Sequence, residues 1–178
     1  MIATPLTVEA ILDCESSEVL TALLGQELSR RIPPEIVTLE DLVKVMSRLP
    51  VGLRAMAATH KLDVSLALDS LLEHFRNFHS IAYADETLGG LQELEALEFV
   101  EPFRMALEVA KANWDLLEIR PPRGYPDLQH QEETHLATLN KEFLSHTQIM
   151  WNALARQPTN SLMGFWPVYA RKYPERCV

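Results

Sequence analysis

Four residues late in the chain have the types and spacing for metal or acid–base chemistry: Glu132, His135, Glu142 and His146. On a helix, at 100° per residue, all four fall within about 80° of one another. Glu132-x-x-His135 has the i, i+3 carboxylate–imidazole spacing of di-iron four-helix bundles. Such a centre also needs a second Glu-x-x-His and further carboxylates on facing helices, and the chain holds no second copy. Helical rise puts Glu132 and His135 roughly 15 Å from Glu142 and His146, too far to share one metal. The expectation is that they flank an apolar stripe at its solvent boundary, and no metal or cofactor is assigned. The alternative is an enzyme or small-ligand binder using these four groups in a pocket beneath an aromatic C-terminal piece.

Other catalytic patterns are missing. His74 and His79 point to different faces of a helix, one toward the core edge and one toward solvent, with no G-x-S-x-G nucleophile setting nearby. Gly89–Gly90 is not followed by Lys-Ser or Lys-Thr, so it is no phosphate-binding loop.

The acids form a second group. Asp85 to Glu118 carries nine acidic residues against Arg104 and Lys111, so most of the chain's net charge of −9 lies there. On the later part, Arg104–Glu108, Glu108–Lys111 and Lys111–Asp115 have the spacing of ordinary surface pairs on one helix. Asp85, Glu86, Glu93, Glu95, Glu98 and Glu101 have no basic residue among them. They are expected to be unpaired and are the candidate partner-binding residues, with help from Asp69 and Glu73.

Composition bounds what such residues can serve. A chain of 178 residues with 47% apolar and 23% charged content suits a single globular domain, 1–178. Six glycines amid abundant Leu, Ala and Glu favour helix. Net negative charge argues against direct nucleic-acid binding, which rests on Lys and Arg. It suits a basic protein partner. Cys14 and Cys177 lie outside any CxxC spacing and are read as reduced thiols, with the cytoplasm as the default location. No apolar run reaches membrane-spanning length.

The elements that must position these groups are all helical. Thr7, Ser16–Ser17 and Thr38 are helix starts, Asp41 completing a capping-box-like pattern, and Pro33–Pro34 and Pro50 are stops. A short helix, a turn near His60–Leu62 and a longer helix from Asp63 follow, with Val64, Leu68, Leu71, Leu72 and Phe75 facing inward. That arrangement invites a helix-turn-helix reading. Asp69 and Glu73 would put negative charge on the helix meant for the major groove, which excludes it. Ser80–Ala84 is read as a loop. Leu88, Leu91, Leu94 and Leu97 line the next helix, which meets its successor near Leu97–Phe99. That successor takes Pro102 in its first turn and buries Val100, Phe103, Leu107, Ala110, Trp114 and Leu117. A linker over Arg120–Pro126 leads to a long helix capped by Asp127, with Leu136, Leu139, Phe143, Met150 and Leu154 inside. An aromatic lid, Ser161 to Tyr173, is broken by Gly164 and Pro167. The fold class is an all-α, single-domain multi-helix bundle, without strand periodicity.

The order of features resembles a known family. A helical pair begins at Leu49–Pro50, and Leu72-Glu73-His74-Phe75-Arg76-Asn77-Phe78 ends a helix. Glu86-Thr87, Leu91-x-x-Leu94 and Phe103-x-x-Ala106-Leu107 come next, and Leu139-x-x-Glu142-Phe143 lies on the long final helix. Over residues 38–160 this is similar to the bacterial DNA-mimic protein family, small acidic all-helical proteins. The family's Asn-Gly-Gly-Phe run is replaced here by Asp69-Ser70-Leu71-Leu72-Glu73-His74-Phe75. The resemblance implies a helical bundle, homodimerisation, and surface carboxylates imitating DNA phosphates to occupy a DNA-binding protein. The expected function is thus a non-enzymatic acidic interaction module.

Overall fold

The computed structural model describes residues 5–118 and 126–178, the side chains of 126–133 and 135 excepted. The Arg120–Tyr125 part of the linker lies outside the described residues; α9 already begins at Pro126, so Asp127 is inside the helix rather than its cap. The helices are α1 (Val8–Leu12), α2 (Ser17–Arg31), α3 (Leu39–Met46), α4 (Val51–Leu68), α5 (Leu71–Asn77), α6 (Ile81–Glu93), α7 (Leu97–Ala112), α8 (Trp114–Glu118), α9 (Pro126–Leu154) and α10 (Phe165–Lys172). Short 3₁₀ turns at Leu162–Gly164 and Pro174–Arg176 flank α10. The described residues hold no strand. The fold is an all-α multi-helix bundle.

Hydroxyl caps set five of the helix starts. Thr7, Ser16, Thr38, Ser70 and Ser80 each accept a hydrogen bond from the backbone N–H three residues on. A cap of this kind satisfies one of the orphan donors of the first turn and is worth about 1 kcal/mol. At α3 the Thr38 hydroxyl also meets Asp41 Oδ2 at 3.0 Å, a variant of the anticipated capping box.

Helix α4 lies at the centre and corrects the reading of residues 51–79. It runs unbroken through His60–Leu62, and the chain turns instead at Asp69–Ser70. Its buried face is Ala55, Ala58, Thr59, Leu62, Ser65 and Leu66, while Val64 and Leu68 are exposed. Small and hydroxyl-bearing residues share that face with Leu53, Met56, Leu62 and Leu66. Thr59 Oγ1 donates to Ala55 O and Ser65 Oγ to Lys61 O, so both can be buried without unsatisfied donors. A pattern anchored on Val64 and Leu68 rotates the helix the wrong way.

Around α4 the core divides into two large clusters. One joins Leu62, Leu66, Phe75, Phe99, Phe103, Leu107 and Phe143 between α4, α5, α7 and α9. The other joins Ile11, Leu20, Leu24, Leu53, Met56, Trp166, Tyr169 and Cys177 between α1, α2, α4 and α10. The aromatic C-terminal piece thus packs over the bundle with Trp166 and Tyr169 buried in it. His74 is wholly buried among Phe75, Phe78 and Phe103, with its Nδ1 2.9 Å from Ser65 Oγ. Because the Ser65 proton goes to Lys61 O, the imidazole Nδ1–H donates to that hydroxyl. His79 is half-buried and stacks on Trp114 at 4.4 Å.

Three further expectations change. Ser80–Ala84 is not a loop: Ser80 caps α6, and Tyr83 is buried with its hydroxyl on Ala58 O. Helices α6 and α7 meet at Leu94–Ala96, and Leu97, one position further, is exposed. Pro102 sits in the second turn of α7, where it removes an internal hydrogen bond.

Candidate interaction surface

Helix α6 crosses α4 at Gly90. A Cβ there would lie 2.9 Å from Ala55 O and 3.1 Å from Thr59 Cγ2, so only glycine lets the two backbones approach this closely. The buried Thr87 hydroxyl ties the same crossing together by donating to Tyr83 O and standing 3.2 Å from Ala58 O. Gly89, next along, is different: nothing lies within 4 Å of a Cβ built on it, and it is exposed. Beside it a groove of about 320 Å³ opens between α4 and α6. Val51, Arg54 and Ala55 form one wall, and Asp85, Glu86, Gly89, Gly90 and Glu93 form the other.

Three of the six candidate carboxylates, Asp85, Glu86 and Glu93, therefore stand together at one groove. Glu95, Glu98 and Glu101 continue beyond it, over the α6–α7 junction and onto α7. Glu95 occupies the left-handed region, φ 57°, at the turn. There Ala96 N–H reaches back to Leu91 O and Glu95 N–H to Gln92 O, closing α6 in the manner of a Schellman motif. Glycine or asparagine is usual at such a position, and a glutamate there needs a compensating contact. Its carboxylate has one: Lys172 Nζ lies at 2.7 and 2.8 Å, and Tyr173 Oη donates at 2.9 Å.

The expectation that these acids are unpaired is overturned, for each of the six has a cation. Lys111 Nζ is 2.9 Å from Asp85 Oδ1. The Arg54 guanidinium grips Glu86 with both Nε and Nη2. Glu93 accepts from Tyr169 Oη and pairs with Arg176 Nη1 at 2.9 Å. Glu98 takes Arg156 Nη2 at 2.8 Å and an N–H from Gln157. Glu101 is paired by Arg104 within α7, at 2.6 Å. The reason is tertiary: five of these six cations come from other elements of the chain, which local spacing does not show. Hydrogen bonds from Lys172 and Tyr173 hold the Glu95 carboxyl below its ordinary range, and Arg104 does the same for Glu101.

The same pairings undo the expected neutralisation of α7. Arg104 goes to Glu101 and Lys111 leaves for Asp85, so Glu108 keeps only a longer-range attraction to Arg104, and Asp115 has no ion pair among the described residues. Glu9, Asp13, Glu15 and Glu18, on α1, α2 and the turn between them, are exposed and likewise unpaired among the described residues. Of the two helper acids, Glu73 pairs with Arg76 on α5, and Asp69 is exposed at the end of α4.

The alternative site does not assemble around the groove. Glu142 is exposed and His146 half-exposed on α9, while the Glu132 and His135 side chains lie outside the described residues. Among the described residues no three His, Cys, Asp or Glu side chains are grouped to hold a metal ion. No described helix is long and apolar enough to cross a membrane. Cys14 and Cys177 are both free thiols, and burial pushes the Cys177 thiol up to about 12.

Fold and surface together define an all-α protein with an ion-paired, carboxylate-rimmed surface groove. No family model matches the chain, and neither a curated protein nor a solved structure matches it.

Proposed function

We propose that the protein is a non-enzymatic interaction module that receives a basic segment of a partner protein in the groove between α4 and α6. One observation carries the reading. Gly89 is an exposed, helix-interior glycine that no internal contact requires, and it lies in a groove wall between three carboxylates. A glycine at such a place costs a helix about 1 kcal/mol relative to alanine. Close approach of an outside group to the backbone is a use that would offset the cost. The carboxylates are held in fixed directions by Lys111, Arg54, Arg176 and Tyr169, so an incoming lysine or arginine meets preorganised acceptors. Binding then proceeds by exchange, with the partner's cation taking over one or more carboxylates from the chain's own.

The DNA-mimic form of this reading, in which the partner is a DNA-binding protein, needs charge that the chain does not itself cancel. Asp115 on α8 supplies such charge beside the paired surface, and Glu108 on α7, which shares Arg104 with Glu101, adds to it. Long-range attraction would steer the partner, and the groove would fix its register.

The test is a salt series. Oligolysine of ten residues should bind the full chain at low ionic strength and lose affinity steeply as salt rises. Glu86→Gln together with Glu93→Gln should weaken that binding, while Glu9→Gln together with Glu18→Gln should alter it little. Equal effects from the two pairs would mean that net charge alone is being read, and the groove reading fails.

A further inference from the structure

The groove has a neighbour whose attachment depends on one of its carboxylates. Glu93 lines the groove and is at the same time the anchor of the C-terminal segment, through Tyr169 Oη and Arg176. That segment also closes over the first turn of α4. A Cβ at Gly52 would lie 2.7 Å from both Cys177 Sγ and Tyr169 Cε1 and 2.9 Å from Arg176 O, so the segment rests directly on the helix backbone. Val51, beside Gly52, is a groove residue. The segment therefore adjoins the groove through two of its lining residues, Glu93, which fastens it, and Val51, next to Gly52.

How firmly each part of the segment is held differs along its length. Trp166, Tyr169 and Ala170 on α10 are buried in the core and fix the helix. From Tyr173 onward, Cys177 is the fully buried side chain. The remaining holds are packing of the Pro174–Arg176 turn against α1, α4 and α10, Tyr173 and Val178 against the core edge, the Tyr169–Tyr173 ring contact, the Arg176–Glu93 pair, the Tyr173–Glu95 hydrogen bond, and Lys172 and Arg176 against the Tyr173 ring. Both polar holds end on carboxylates of the acidic surface. Release of this stretch gives up one fully buried side chain, the Tyr169–Tyr173 ring contact and one partly exposed ion pair, far less than release of α10 with its buried Trp166 and Tyr169.

From this we infer that Tyr173–Val178 is an internal latch, in which Arg176 stands where a basic partner's cation would sit and must yield Glu93 when the partner docks. The inference rests on the groove reading proposed above and adds to it a competitor built into the chain. By linkage, anything that frees Glu93 from Arg176 strengthens partner binding, and partner binding loosens the latch. Cys177 reports the latch directly, because its thiol is buried while the segment is docked and meets solvent when it lifts.

The experiment uses the full chain carrying Cys14→Ser, so that Cys177 is the one reactive thiol, and follows its reaction with an aromatic disulfide reagent. Oligolysine of ten residues at low salt should accelerate that reaction in a saturable way. Arg176→Gln should raise the basal rate and tighten oligolysine binding roughly two- to fivefold, the scale of one exposed ion pair. Arg176→Lys should restore both toward the parent values. Arg48→Gln makes the same charge change at an exposed arginine with no ion pair among the described residues and should leave both unchanged. If oligolysine binds but neither the Cys177 rate nor the Arg176→Gln affinity moves beyond the Arg48→Gln control, the latch is wrong and the groove reading stands. If oligolysine binds none of the variants, the groove reading falls and the latch with it.

Discussion

Adjacent glycines in one helix should respond in opposite directions to the same substitution. At Gly89 a methyl group meets open space, so Gly89→Ala gains the full difference in helix propensity, about 1 kcal/mol. At Gly90 the same gain is opposed by a Cβ 2.9 Å from the Ala55 carbonyl oxygen and 3.1 Å from Thr59 Cγ2. The obstacle is backbone, which cannot rotate away, so α6 must shift off α4. Overpacking of this kind costs about 1–3 kcal/mol, and the net change for Gly90→Ala is a loss of up to about 2 kcal/mol. For a chain of this size, 1 kcal/mol corresponds to roughly 2–4 °C in Tm. Thermal unfolding of the parent and the two variants at one pH and salt checks the signs. Gly89→Leu adds the functional half: the helix should still gain stability, but the side chain would fill the groove and weaken oligolysine binding. If Gly89→Ala is destabilising, Gly89 has an internal role and the argument from it collapses. If Gly90→Ala is stabilising, the close α4–α6 crossing is wrong.

Other expectations follow from buried and paired groups. Burial holds the His74 imidazole down to about 3 from its ordinary 6.5, so it stays neutral in the folded state while the unfolded chain takes up a proton below 6.5. Stability should fall as pH drops from 6.5 toward 3, by about 2 kcal/mol at pH 5, measured by denaturant unfolding. His74→Leu should flatten that part of the profile. Glu27, buried on α2, is held down to about 2, first by its hydrogen bond from Arg30 and then by Arg31. Its contribution is present above about 4.5 and lost between there and 2, so a second acid transition should vanish in Glu27→Gln. Gly52→Ala drives a Cβ into Cys177, Tyr169 and the Arg176 carbonyl. A loss of about 1–3 kcal/mol and faster labelling of Cys177 are expected.

Much of the fold was legible because its signals are local. Thr7, Ser16 and Thr38 announce their helices, and Phe103, Leu107, Ala110 and Leu117 repeat at helical spacing and are buried. The register of α4 was less legible: its inner face mixes Ala55, Ala58, Thr59 and Ser65 with Leu53, Met56, Leu62 and Leu66, while Val64 and Leu68 are exposed. Ser70 and Ser80 were passed over as helix starts, although their hydroxyls cap α5 and α6 as Thr38 caps α3.

The candidate acids were legible as a cluster on consecutive helices, and their surroundings were not. Glu95 meets Lys172, and Glu98 meets Arg156, only after α9 and α10 have folded back across the α6–α7 junction. Lys111 could reach Glu108 or Asp115 within its own helical surface but pairs with Asp85 on α6. Spacing along one helix counts such choices as settled when tertiary packing decides them. The glycine pair gave a usable hint: two glycines inside a helix ask for a reason, and Gly90 found it in α4 while Gly89 found none inside the protein.

The most direct measurement is a residue-resolved map of where a cation lands. Backbone amide shifts of the full chain, followed by NMR while oligolysine is added at low salt, would separate the groove from the rest of the acidic surface. The account predicts saturable shifts at Arg54, Ala55, Gly89, Gly90 and Glu93, carrying on into Arg176 and Cys177. Shifts centred instead on Glu9, Asp13, Glu15 and Glu18, where the carboxylates have no described cation partner, would contradict it.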